Sequence, residues 1–179
     1  SSGTGTGFLV FGDSADDDIG QINYAHGDNS MRFVVNASER ARIDSSGNLL
    51  VGTTSTAPYA STSSTAQGIA IRGDFGLIGA SRPNNYSLSL NRAGTDGDIV
   101  NFRKNGSTVG RISTTGGDIL IGTGDCGIRF SDGGDQIRVC TDTGTNRDGV
   151  IDLGYTDSRF KSLYLSGNAN LGSSNFLRF

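Results

Sequence analysis

The chain has 179 residues and a formal net charge of −3, and its charged residues are chosen narrowly: 17 Asp against one Glu, and 13 Arg against two Lys. Asp favours turns and caps, whereas Glu and Lys support helix interiors. With 28 Gly and 2 Pro this usage excludes a helical protein and predicts an all-β fold. The scattered Arg residues form no clustered basic face for nucleic acid, and no apolar run approaches the ~18 residues of a membrane span, so neither nucleic acid nor membrane insertion is expected.

Residues 1–6 read as a flexible lead-in, the start of a piece of a longer polypeptide. A first unit, 7–52, opens with the apolar strand Gly7-Phe8-Leu9-Val10-Phe11-Gly12 and the acidic turn Asp13 to Asp18. Ile19 to Tyr24 and Met31 to Val35 read as strands joined at His26-Gly27-Asp28-Asn29. Arg40 to Asp44 then returns as Leu49-Leu50-Val51 across Ser45-Ser46-Gly47-Asn48, which has turn chemistry throughout. Residues 53–66 are a Ser/Thr-rich connector containing Pro58 and Tyr59. The second unit, 67–122, holds the clearest hairpin, Ile99 to Lys104 turning at Asn105-Gly106 and returning as Ser107 to Ile112. Asn-Gly suits a type I′ turn, and a regular ladder would set Phe102 opposite Val109 and Ile99 opposite Ile112. Those pairs fall on opposite faces, so both sides of the hairpin are expected to be covered. The third unit, 126–179, ends in Phe160 to Leu165, a last Gly-Asn box and the apolar tail Phe176-Leu177-Arg178-Phe179.

The units are repeats. Ser46-Gly47-Asn48-Leu49-Leu50-Val51-Gly52 recurs as Gly116-Gly117-Asp118-Ile119-Leu120-Ile121-Gly122 and as Ser166-Gly167-Asn168-Ala169-Asn170-Leu171-Gly172. Opening boxes stand at Gly7, Gly68 and Gly127. The step from Gly7 to Gly52 equals that from Gly127 to Gly172, 45 residues, and the middle unit is nine longer. Diverged repeats of this length mark an array of one supersecondary unit. Leu, Ile, Val and Phe number only 42. Ordering a Gly- and Ser-rich backbone costs on the order of 1–2 kcal/mol per residue, which so little apolar side chain offsets poorly in a lone copy. Burial between identical chains is the natural remedy, and a homo-oligomer is expected.

Three stretches resemble a known family. Met31-Arg32-Phe33 with Glu39 to Gly52, Gly97-Asp98-Ile99-Val100-Asn101-Phe102-Arg103-Lys104-Asn105-Gly106-Ser107-Thr108-Val109-Gly110, and Asp152-Leu153-Gly154 with Arg159 to Gly167 are similar to repeats in the distal tail fibres of tailed bacteriophages, marine and cyanobacterial ones above all. The last is similar to the repeat that precedes a C-terminal intramolecular chaperone in such fibres. The resemblance implies an elongated, intertwined homotrimeric β fibre, β-prism or triple-β-helix-like, carried on the virion and assembled in the host cytoplasm. Its implied partners are copies of itself, other tail proteins, and a host surface glycan or outer-membrane protein. The implied action is adhesion without catalysis or cofactor. The competing readings are a polysaccharide-degrading spike and a purely structural virion component such as a shaft or capsid decoration.

The remaining candidates have ordinary explanations beside them. Asp13, Asp16, Asp17 and Asp18 could hold Ca2+, but the cluster lacks EF-hand spacing and reads first as a solvated turn. His26, the sole His, makes a nominal triad with Ser14 and Asp28, yet no nucleophile elbow is present and a turn His is expected. With Glu39 the single Glu, a glycosidase would need an Asp pair, and none stands out. Cys126 and Cys140 are free thiols or a single bridge. Arg32, Arg40, Arg42, Arg111, Arg129 and Arg138 are expected to brace subunits through Asp partners, with anionic glycan as the alternative. Tyr86, in the polar loop Arg82-Pro83-Asn84-Asn85, is the candidate for a receptor contact.

Overall fold

The computed structural model describes residues 4–167. The chain is all-β, with 44% of the described residues in strands and 4% in helix, arranged as two antiparallel sheets. It divides into two compact units, Ser1–Ser89 and Leu90–Phe179.

In the first unit the strands are β1 (Thr6–Phe11), β2 (Gly20–Ala25), β3 (Ser30–Val35), β4 (Ser38–Ile43), β5 (Leu49–Val51), β6 (Gly68–Arg72) and β7 (Leu77–Ser81). They form a seven-stranded meander in which every strand pairs with its sequence neighbour. The second unit contains β8 (Gly97–Lys104), β9 (Ser107–Thr115), β10 (Asp118–Thr123), β11 (Cys126–Ser131) and β12 (Gln136–Cys140), again paired in sequence order. The recurring boxes lie on matching strands: β5 beside β6, and β10 beside β11, place a closing box and the next opening box on neighbouring strands. The third closing box lies outside the described residues from 168 onward, as does the apolar tail 176–179.

Local chemistry explains the turns. The β4–β5 turn is tied by Asp44, whose Oδ1 accepts from the Ser46 and Asn48 backbone N–H at 2.9 and 3.0 Å and whose Oδ2 accepts from Asn48 Nδ2 at 3.0 Å. Gly47 sits at φ +79°, a conformation open to Gly at no steric cost. At the β8–β9 hairpin Asn105 and Gly106 have φ of +50° and +81°, as a type I′ turn requires.

The register of that hairpin differs from the regular ladder. Arg103 pairs with Thr108, but Phe102 pairs with Gly110 and Val100 with Ile112, before Asp98 returns to Ser113. Val109 on β9 and Ile99 on β8 are therefore the bulged residues, and the two shifts cancel. β9 must also satisfy β10, where Ile112 pairs with Ile121, and the bulges reconcile the Asn-Gly turn with that second ladder. Within the single chain Phe102 and Val109 of this hairpin are about half exposed.

Each sheet has one covered face. In the first, the row Asn23, Arg32, Arg42, Leu50, Ala70, Gly79 runs straight across β2 to β7. The connector lies over its β6–β7 end through a 3-10 turn, Pro58–Ala60, with Pro58 buried. The Tyr59 ring sits where a side chain on Gly79 would be, 2.1 Å from an ideal Cβ, so Gly79 is required for this packing. In the second sheet the covered row holds Ser113, Leu120 and Arg129. The segment after β12 crosses this face, with Asp142 over Gly122 and Gly144 against Thr115. Leu50 and Leu120, 1% and 0% exposed, are the large apolar side chains sealed inside.

Candidate functional site

The period of two along a strand sends alternate residues to opposite faces, so strand pairing fixes what the uncovered faces display. On the first sheet one row is Leu9, Ile22, Phe33, Ala41, Val51, Ile69, Ala80, and the next is Tyr24, Met31, Ile43, Leu49, Ile71, Ile78. No residue in either row is charged. Leu9, Phe33, Met31, Ile43, Val51, Ile69, Ile71 and Ile78 are all exposed. With seven strands this apolar surface is roughly 30 Å wide at the usual strand spacing. The second sheet repeats the arrangement with Val100, Ile112, Ile121, Ile128 and Val139 in one row, and Thr114, Ile119, Phe130 and Ile137 in the next. Ile119, Ile121, Ile128, Phe130 and Ile137 are exposed. Contiguous apolar surface of this extent marks an interaction site on a soluble protein.

Charge is concentrated on the other face, where it is largely paired within the chain. Arg42 Nε meets Glu39 Oε1 at 2.5 Å, and Arg32 meets Asp28 at 2.5 Å and Glu39 at 3.7 Å. The Glu39 hydrogen bond, ahead of the opposing effect of burial, raises the Arg42 pKa. Hydrogen bonding from Ser30, then from Arg32, holds the Asp28 carboxyl below its usual range despite some desolvation. In the second sheet Arg111 bridges Asp98 and Asp142 at 3.3 and 3.1 Å, and Arg129 meets Asp118 at 3.6 Å. Arg32, Arg42, Arg111 and Arg129, expected to brace neighbouring subunits, each find an acidic partner within the chain. Glu39 stands on the same strand as Arg42, and the other acidic partners stand on adjacent strands or loops of the chain. Arg40 donates to the Val35 carbonyl at 3.2 Å, while Arg138 is exposed without an ion pair among the described residues.

The acidic turn spends its carboxylates locally. Asp13 Oδ1 accepts from the Ala15 and Asp16 N–H at 2.7 and 3.0 Å, which lowers the Asp13 pKa. Asp16 Oδ1 accepts from the Asp18 N–H at 3.1 Å, and Asp18 Oδ2 from Gln21 at 3.3 Å. Asp17 has no such bond among the described residues. Among those residues, no group of three or more His, Cys, Asp or Glu is arranged to hold a metal. His26 packs edge-on against Tyr24 at 4.9 Å, and Asp28 is engaged by Ser30 and Arg32. Ser14 lies at the opposite end of β2, about 20 Å away at strand rise, so the nominal triad is not assembled. Cys126 is exposed and Cys140 buried, both free, and burial pushes the Cys140 thiol up.

Tyr86 is 79% exposed. It borders a shallow cleft of about 370 Å³ whose floor is Val51, Ile69 and Ala80, with Gln67 and Arg82 at its rim. A second apolar depression, about 440 Å³, lies among Phe11, Ile22, Phe33 and Val35 on the same face. Sequence reasoning selected Tyr86 but missed the surface that borders it. The signal was present in Ile69-Ala70-Ile71-Arg72 and in Ile119-Leu120-Ile121. In both, however, the covered position is also apolar (Ala70, Leu120), and the alternation is blurred.

No family model, curated protein or solved structure matches this chain.

Proposed function

We propose that the chain is part of a homotrimeric tail fibre of a tailed bacteriophage and attaches the virion to the host bacterial surface. The observation that carries this reading is the predominantly apolar face on each sheet, opposite a face where Arg and Asp are already paired within the chain. Such faces need cover, and copies of the same chain provide it at fixed stoichiometry. The virion setting rests on the three family-like stretches, which lie on β3 to β5, on the β8–β9 hairpin and within 152–167. Adhesion follows from multivalency: several copies turn weak single contacts into durable attachment through effective concentration. The partners are the other copies, further tail proteins, and a host glycan or outer-membrane protein.

The test is to incubate the chain with host cells and with purified surface polysaccharide. Retention on cells with the polymer left intact is the expected result. Release of reducing ends would replace adhesion by a degrading spike, and no retention would leave a spacer or decoration protein.

A further inference from the structure

Two surfaces of the first unit and its exit remain unmatched, and their chemistry is complementary. β1 and β7 are the outer strands of the seven-stranded sheet, and one side of the β1 backbone has no ladder partner among the described residues. Phe8, Leu9, Val10 and Phe11 are all exposed, and residues 6–12 carry no charge. A bare, two-sided apolar edge without Lys, Pro or bulge is what soluble proteins avoid leaving open. The second surface is the segment 86–90, which alternates Tyr86, Leu88 and Leu90 with Ser87 and Ser89. Its apolar members are exposed, Leu88 by 72%, and residues 83–91 are likewise uncharged. Its only hydrogen bond among the described residues is from the Tyr86 N–H to Asn85 Oδ1 at 2.8 Å. A segment with strand periodicity and no ladder offers its free backbone donors and acceptors to an extended strand beside it.

We infer that β1 of one copy pairs with the segment 86–90 of a neighbouring copy, joining the chains by strand addition. The inference rests on the homo-oligomer proposed above. The occupant is a second copy because each surface lacks what the other offers: an open edge on one side, an unpaired strand-like run on the other. Neither carries a charge that pairing would desolvate. Because the two surfaces differ, the contact is heterologous, and repeated by a three-fold rotation it makes the closed ring of a trimer. The added strand extends the apolar face past Leu9 and Phe11. Tyr86 then belongs to the contact between chains and not to the receptor.

The test uses the full chain with Cys126→Ser to remove the exposed thiol. Leu9→Cys is combined in turn with Tyr86→Cys, Leu88→Cys and Leu90→Cys, oxidised mildly and run unreduced on denaturing gels beside the single variants. At least one combination is expected to give bands of two and three chains that the single variants lack, since directly opposed strand residues meet disulfide geometry. A second variant, Leu88→Pro, removes a backbone donor from a segment without internal ladder bonds; it should abolish the assembly while far-UV circular dichroism stays unchanged. A parent chain that scatters as three copies, with no inter-chain bridge and an intact Leu88→Pro assembly, overturns this inference and leaves the trimer standing. A parent chain that scatters as one copy overturns both.

Discussion

The two sheets solve the same problem with different means. The first has seven strands and is covered by its own connector, with Tyr59 seated on Gly79 over the β6–β7 end. The second has five strands and is covered by the segment that follows β12, held by the Arg111–Asp142 pair. The sequences that provide cover are unrelated, yet each shields the same side, the one carrying the Arg ladder and a sealed Leu. What does not vary is the opposite face, bare and predominantly apolar in both. A surface kept constant while its reverse is covered in two ways is the one on which the proposed contact between copies rests.

The largest expected effect breaks the covered sides. Leu50→Ala and Leu120→Ala each remove a sealed side chain and should cost about 2–5 kcal/mol in denaturant unfolding, each in its own unit. Charge on the bare faces should act differently. Ile71→Asp in the first sheet or Ile121→Asp in the second, both half-exposed positions, should leave the chain folded but abolish its oligomer in light scattering. Asp44→Ala removes three hydrogen bonds, one of them from the buried Asn48 side chain, and should cost about 2 kcal/mol in the first unit alone.

The mildest contrast is acidity. Asp13, Asp28 and Asp44 in the first unit, and Asp96 in the second, have depressed pKa values. For Asp44, burial works against the shift, and the Asn48 and Ser46 hydrogen bonds prevail. For Asp96 the Gly116 N–H is the first cause. A depressed carboxylate contributes stability that is full above its unfolded value, near 3.8, and lost as pH falls through the folded one. Acid titration below pH 4 should therefore unfold the first unit before the second. Equal loss in both, followed by segment-resolved hydrogen exchange, would contradict that assignment.

How much was legible depended on the range of the interactions. Asp44 to Asn48 and Asn105-Gly106 are self-contained turns, and their residues alone specify the conformation. The bulges at Ile99 and Val109 were not legible, because β9 answers to β10 as well as to β8. Intrachain partners for Arg111 and Arg129 depended on the same register. Tyr86 was recognisable as exposed from its polar loop, but the cleft beside it is made by β5, β6 and β7 together. The bare apolar faces emerge only when strands are laid side by side.

The most direct test is the mass of this chain in solution by light scattering, with the same sample run on SDS gels unheated and boiled. Three chains, resistant to SDS until boiled, is the result predicted from faces covered by copies of the same chain. A single folded chain would mean that these faces stand open in water, and would contradict the trimeric fibre.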